Sequence, residues 1–237
     1  MVIETFKFKD KTFKADPDVY MPDFQRGMFN EEDEDRQNWW NIQPKNVVVD
    51  VGAGTGSWTL PAAVMGATVY AFECDPHRIH ALKENVKCNP EMNVITEDRG
   101  LYSRDCELGM DMNSSSVMLQ LGYQPQTRVK MTTLDGYWRD NCEAGFGLGL
   151  DWLKIDVEGA ELHVISGAIN TITKYKPKII VECHTFIIPG IDGMVLSYIN
   201  RLECFYKCTS VLRRSAPGAI DLRSYTYPRL LFEPTDN

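Results

Sequence analysis

Several things are missing from this 237-residue sequence, and each absence excludes something. It has no run of about 18 or more apolar residues, so no membrane-spanning helix is expected. The first residues, MVIETFKFKDKTFK, alternate apolar and charged side chains and lack the apolar centre of a secretory signal. There is no C-x-x-C pair. The seven cysteines, Cys74, Cys88, Cys106, Cys142, Cys183, Cys204 and Cys208, are odd in number and irregularly spaced. That pattern argues against a disulfide framework or a zinc site and for reduced thiols in a cytoplasmic protein. Cys204 and Cys208 lie close together, but no second ligand pair accompanies them. Positive charge is scarce: 25 Lys and Arg stand against 33 Asp and Glu, a net charge of −8. Phosphate binding usually leaves a basic footprint, so this balance disfavours nucleic acid as the main partner. Lys207, Arg213, Arg214 and Arg223 can form a local basic groove, but scattered solvated charges are the simpler account. No internal repeat is found.

What is present reads as one α/β domain with an addition at its start. Residues 1–43 form an N-terminal appendage: a hairpin over Val2 to Phe13, turning at Lys9-Asp10-Lys11, then a helix. That helix starts at Asn30, with the acids EEDED in its first turn, and Trp39 and Trp40 dock it. Residues 44–237 form the main domain. Val47 to Val51 is an apolar, β-branched run, as a buried parallel strand requires. Ser57 to Met65 is helical, Val69 to Glu73 a strand, and Pro76 to Asn89 a helix capped by Asp75. Val94 to Glu97, Trp152 to Asp156 and Lys178 to Cys183 are further strands. Phe205 to Val211 and Tyr225 to Phe232 close the chain as an antiparallel pair. Alternation of strands and helices predicts a mostly parallel sheet with helices on both faces. Residues 101–150 interrupt the rhythm and read as an inserted hairpin or lid, with β-like runs at Val117 to Leu121 and Val129 to Thr133.

The most informative segment is VVVDVGAGTGSW, residues 47–58. Gly52, Gly54 and Gly56 follow a strand and precede a helix, where the backbone can bend sharply and approach a ligand. An acid one strand later, Glu73 in YAFECDP, can accept both hydroxyls of a ribose. Glu73 can instead cap the next helix, but Asp75 fits that role better. A dinucleotide turn reads G-x-G-x-x-G or A. Here Ser57 occupies the third position of that pattern and the glycine falls earlier, at Gly56. Asp50, just before the turn, would repel a pyrophosphate yet can orient the turn and the amino group of a sulfonium ligand. Opposite charges attract, so the D-x-G-x-G-x-G form favours S-adenosylmethionine over NAD. The cofactor-binding set is Asp50, Gly52, Ala53, Gly54, Gly56, Glu73 and Cys74, with Asp156 from the later loop.

The turn VVVDVGAGTG, the acid in AFECDP, and above all WLKIDVEGAELHVISGA followed by KPKIIVECH resemble the FkbM-type methyltransferases. The matched blocks run from about Val47 to His184, and KIDVEGAE is their most specific part. The resemblance implies a Rossmann-like class I α/β fold, with a mostly parallel seven-stranded sheet whose last strand is antiparallel. It implies an S-adenosylmethionine-dependent O-methyltransferase acting on a hydroxyl of a small molecule, sugar or lipid. It also places Asp98, Arg99 and Gly100, in ITEDRGLYS, at the adenine edge, with Leu101 against the adenine face. The family often has Asn-x-Ala-Leu-like residues there, and this chain departs from that pattern. A methyltransferase acting on a macromolecule (an RNA cap or a protein) and a non-catalytic nucleoside-binding relative are the alternatives.

Ligands of open α/β sheets bind at the carboxyl ends of the strands. Asp156 ends WLKID, Glu158 follows in the loop, and Glu161 opens the next helix. Glu182 and His184 end KIIVECH and share a side of the strand. Asp156 is expected to position donor or acceptor, and Glu182 or His184 to serve as the base that accepts the hydroxyl proton. Glu158 and Glu161 can equally complement a helix N-terminus. His184 can equally be a hydrogen-bonded structural histidine. Lys154, mid-strand, can neutralise a neighbouring carboxylate. Asp156, Glu158 and Glu182 supply oxygen ligands of the kind magnesium takes, but their spacing does not demand it, and no metal is expected.

Overall fold

The run Val47–Val51 is buried at all five positions, which suits a central strand of a covered sheet. The computed structural model that shows this describes residues 3–17, 29, 38–112, 116–117, 124–143, 148–202, 206–215 and 226–235. The chain divides into two units, Met1–Asp98 and Arg99–Asn237.

In the first unit, β1 (Glu4–Phe8) and β2 (Lys11–Ala15) pair antiparallel as the predicted hairpin, with Phe6 opposite Phe13. The helix expected to start at Asn30 lies outside the described residues, apart from a helical stub at 38–39. Trp40, wholly buried, meets Trp58 edge to face at 5.0 Å and donates its indole N–H to the Trp58 carbonyl. Three parallel strands follow: β3 (Val47–Val51), β4 (Thr68–Phe72) and β5 (Asn93–Glu97). Helix α1 (Thr59–Val64) links β3 to β4, and α2 (Pro76–Lys87) links β4 to β5. Asp75 caps α2 as expected: its carboxylate accepts from the His77 and Arg78 amides, and Pro76 takes the first turn.

Helix α2 also carries the hairpin. Asn89, just past its end, accepts from the Lys14 amide and donates to the Lys14 carbonyl. Asn85, buried one turn earlier, accepts from the Asp16 amide and donates to the Thr55 carbonyl in the glycine turn.

The second unit opens with a small three-stranded sheet. Strand β6 (Gly100–Leu101) lies parallel to β8 (Thr127–Thr132), and β7 (Cys106–Met110) pairs with β8 antiparallel. The segment expected to be an insert therefore does contain a hairpin. Its other β-like run, Val117 to Leu121, lies outside the described residues beyond Val117. Thr133 caps the short helix α3 (Leu134–Trp138), accepting from the Gly136 amide.

Strand β9 (Trp152–Ile155) is followed by α4 (Glu161–Ser166) and α5 (Ile169–Tyr175). Strand β10 (Lys178–Glu182) runs parallel to β9, and α6 (Ile191–Asn200) follows. The chain closes with β11 (Tyr206–Ser215) and β12 (Thr226–Pro234). They pair antiparallel with each other, and β12 pairs antiparallel with β10. Each unit is α/β: the first has three parallel strands, β3, β4 and β5, and the second has four neighbouring strands in the order β11-β12-β10-β9.

Gly167, between α4 and α5, shows how closely the second unit packs. A Cβ there would stand 2.0 Å from the Tyr102 carbonyl oxygen, so only glycine fits.

Candidate active site

The glycine turn is held from three sides within the first unit. The amides of Gly52 and Ala53 both donate to the Phe72 carbonyl at the end of β4. The Gly54 amide donates to Glu73 Oε2 at 2.8 Å, and the Asp75 amide donates to Glu73 Oε1 at 2.8 Å. Behind the turn, Thr59 donates its hydroxyl to Asp50 Oδ2 at 2.6 Å. Asp50 is wholly buried, so it orients the turn by gripping the first residue of α1. Glu73 is buried too, and burial pushes its carboxyl above the usual range, against the lowering effects of Arg78 and the two amides. Two glycines carry the turn for different reasons. Gly54 has φ +58° and nothing within 4 Å of where a Cβ would stand, which leaves open space over the turn. Gly56 has φ +107°, and a Cβ would meet Leu82 Cδ1 at 3.0 Å.

The other members of the expected cofactor set are less engaged. The Cys74 thiol is pushed well up by burial and by the neighbouring acids Glu73 and Asp75, so it stays protonated. Asp98 is exposed and lies 4.0 Å from the Lys83 ammonium. In the second unit Arg99 is partly exposed, while Gly100 and Leu101 are buried.

The acid and histidine cluster belongs to the second unit. After β9 the chain turns through two left-handed residues, Glu158 (φ +50°) and Gly159 (φ +98°). Ser116 donates its hydroxyl to the Glu158 carbonyl at 2.7 Å and so braces this turn from residue segment 101–150. His184, just past β10, is 2% exposed. Its Nδ1 stands 2.7 Å from Glu161 Oε1, so that nitrogen carries the hydrogen and donates it. The Gly159 amide donates to the same oxygen at 3.0 Å. His184 Nε2 lies 3.5 Å from Asp156 Oδ1 and 3.3 Å from Glu158 Oε2. Burial opposes a charged ring here, but the Glu161 hydrogen bond and the charges of Glu158 and Asp156 outweigh it. They push the His184 pKa up to about 10. Lys154 Nζ lies 3.4 Å from Asp156 Oδ2, the neutralising role its mid-strand position suggested.

Of the three residues expected to be catalytic, the structure brings Asp156 and His184 together and gives Glu182 a different partner. The Arg229 guanidinium, across from it on β12, binds its carboxylate. From its position in the sequence, Glu161 can be a charge on a helix start. In fact it is completely buried and fixes His184. The available signal was its place in KIDVEGAE, one helical start away from Asp156, but only the fold sets it against a residue after the next strand.

The description "Methyltransferase FkbM domain" fits residues 50–208, well over half of the chain. The protein belongs to the FkbM methyltransferase family. Its structure is similar to that of an FkbM methyltransferase from Methylobacillus flagellatus KT, with a TM-score of 0.57 at 16% identity, covering 82% of this chain and 46% of that one. At that identity the likeness speaks for the Rossmann-like methyltransferase fold alone, which agrees with the expectation from sequence. Among curated proteins, a tRNA (guanine(37)-N(1))-methyltransferase of Phytophthora infestans is 38% identical over 55 residues, 23% of this chain and 13% of that protein. A ribosomal protein L11 methyltransferase of Bacillus cereus is 26% identical over 81 residues, 34% of this chain and 26% of that protein. This FkbM-family chain thus spans less than half the length of the solved relative and matches only short stretches of the curated ones. No helix among its described residues is long and apolar enough to cross a membrane.

Proposed function

We propose that this FkbM-family protein is an S-adenosylmethionine-dependent methyltransferase whose acceptor is a hydroxyl of a small molecule, sugar or lipid. The observation that carries the donor assignment is the Glu73 carboxylate, buried and clamped between the Gly54 and Asp75 amides. Each of its oxygens accepts one backbone hydrogen and keeps a lone pair for a ribose hydroxyl. The same clamp argues against a dinucleotide. The amides of Gly52, Ala53 and Gly54 are committed to the Phe72 carbonyl and to a carboxylate, so they do not converge on a phosphate. The open space over Gly54 is where a ligand can lie against the turn. S-adenosylmethionine, when bound, supplies an electrophilic methyl group on a positively charged sulfur.

The remaining work is to orient the acceptor and take its proton. We assign this to the cluster in the second unit. Asp156 is partly exposed and orients the acceptor hydroxyl by accepting its hydrogen bond. His184 already holds a proton at neutral pH, and Glu182 is engaged by Arg229, so proton removal falls to a cluster carboxylate.

Calorimetry with S-adenosylmethionine, S-adenosylhomocysteine and NAD tests the donor assignment. Binding of the first two and not of NAD is expected. Binding of NAD alone, or of none of the three by folded protein, would overturn it. A second reading, a macromolecular acceptor, is favoured by the curated relatives, whose names specify tRNA and a ribosomal protein. Labelled donor offered with tRNA, ribosomal protein and hydroxylated small molecules separates the two.

A further inference from the structure

Three side chains, from the turn after β9 and the end of β10, point donor atoms at one spot. One atom each from Asp156, Glu158 and His184 lies within 4.8 Å of the others. The two measured spacings from His184 Nε2 are 3.5 and 3.3 Å. Neighbouring ligands around an octahedral ion with bonds of about 2.1–2.3 Å stand roughly 3.0–3.3 Å apart, so a small inward movement of the carboxylates closes the shell. The imidazole is oriented for this. Its Nδ1 hydrogen is fixed on Glu161, which leaves Nε2 as the coordinating atom, the carboxylate–histidine–metal arrangement of many metal sites.

Glu161 sets the direction of the ring. It is completely buried and its carboxylate is turned onto the ring of His184. Its Oε2 has no hydrogen-bond partner among the described residues. With the Gly159 amide on the same oxygen as His184 Nδ1, Glu161 holds the ring so that Nε2 is turned to Asp156 and Glu158.

We propose that Asp156, Glu158 and His184 form a divalent-cation site, with Glu161 as the positioning residue that sets the histidine. The donor set is two carboxylate oxygens and one imidazole nitrogen. It suits a cation of the manganese class, which accepts nitrogen more readily than magnesium does. On binding, the cation takes the place of the hydrogen on Nε2, and that proton leaves to solvent. Asp156 and Glu158 are 21% and 25% exposed at their side chains, so the outer side of the site is open to oxygen ligands such as water or a hydroxylated acceptor. Of its three ligands only Asp156 also belongs to the expected cofactor-binding set, and the donor assignment is carried by Glu73 of the glycine turn, which the cation site does not use.

The test is titration of EDTA-treated, full-length protein with MnCl2, without methyl donor, followed by loss of the free-Mn2+ electron paramagnetic resonance signal. One Mn2+ per chain is expected, with nitrogen coupling from His184 in the pulsed spectrum. Glu158→Gln and Asp156→Asn should each weaken binding at least about 10-fold. Glu161→Gln should weaken it by about 10–100-fold and disturb the nitrogen coupling, as loss of an outer-shell partner does. Glu107→Gln, on the exposed face of β7, should leave it unchanged. Circular dichroism checks that each variant is folded. The proposal is overturned if folded wild type takes up no Mn2+ at millimolar concentration. It is equally overturned if Glu158→Gln binds as Glu107→Gln does, or if Mn2+ binds without nitrogen coupling. None of these results touches donor binding measured by calorimetry, so failure here and failure of the methyltransferase assignment are distinguishable.

Discussion

The glycine turn of the first unit and the acid–histidine cluster of the second are both built around buried carboxylates, but they are stabilised in opposite ways. Glu73 is satisfied by backbone amides, and its neighbour Asp50 by a hydroxyl nine residues away. These hydrogen-bond donors are local and neutral, and the Arg78 charge also favours the ionised form of Glu73. Glu161 leans on one amide and one imidazole from the far side of another strand, and keeps an oxygen unsatisfied. The turn is thus complete as a scaffold before anything binds, whereas the cluster holds its charges through one another.

The largest expected effect breaks the cluster. Glu161→Ala removes the partner of a buried, charged imidazole and should destabilise the fold by about 3–5 kcal/mol, read by urea denaturation. A loss under about 1 kcal/mol would mean that the ring relaxes into solvent and that the two sites are not so different. Next, Glu73→Ala should weaken S-adenosylhomocysteine binding by roughly 1–3 kcal/mol in calorimetry, with the fold retained. An unchanged affinity would take Glu73 out of the donor site and leave the turn as scaffold only. Thr59→Val deletes the hydroxyl that grips Asp50 and should cost about 1–3 kcal/mol of stability, because it strips a hydrogen bond from a buried carboxylate. The smallest effect is expected at Glu158→Gln in metal-free protein, within about 1 kcal/mol, since its contact with His184 is partly open to water. That small stability change beside a large loss of Mn2+ binding is what separates a ligand from a structural charge.

The same contrast explains what could be read from sequence. The turn lies in one continuous segment, and its acid comes one strand later, so Gly54, Gly56 and Glu73 were legible from spacing. The places of the central strands along the chain were legible as well, because Val47–Val51 and Lys178–Glu182 carry the apolar runs of a covered sheet. The cluster was only half legible. Asp156 and His184 were marked by their places at strand ends, but Glu182 was read alongside them because strand alternation takes no account of Arg229 on β12. Glu161 was read as a charge on a helix start, since its burial depends on packing that no local pattern encodes. Ser116 was missed for a similar reason, lying in a segment with no regular period.

The side chain of Asn85 has a consequence that reaches beyond the turn itself. One carboxamide receives the Asp16 amide hydrogen with its oxygen and offers its own hydrogen to the Thr55 carbonyl. The N-terminal hairpin and the glycine turn are therefore wired to the same three-atom group, and neither can shift without the other losing a bond. This makes the Asp16 amide a built-in reporter of occupancy. Slower deuterium uptake there when S-adenosylhomocysteine is added is expected, and Asn85→Ala should abolish that response while sparing the amides of β1.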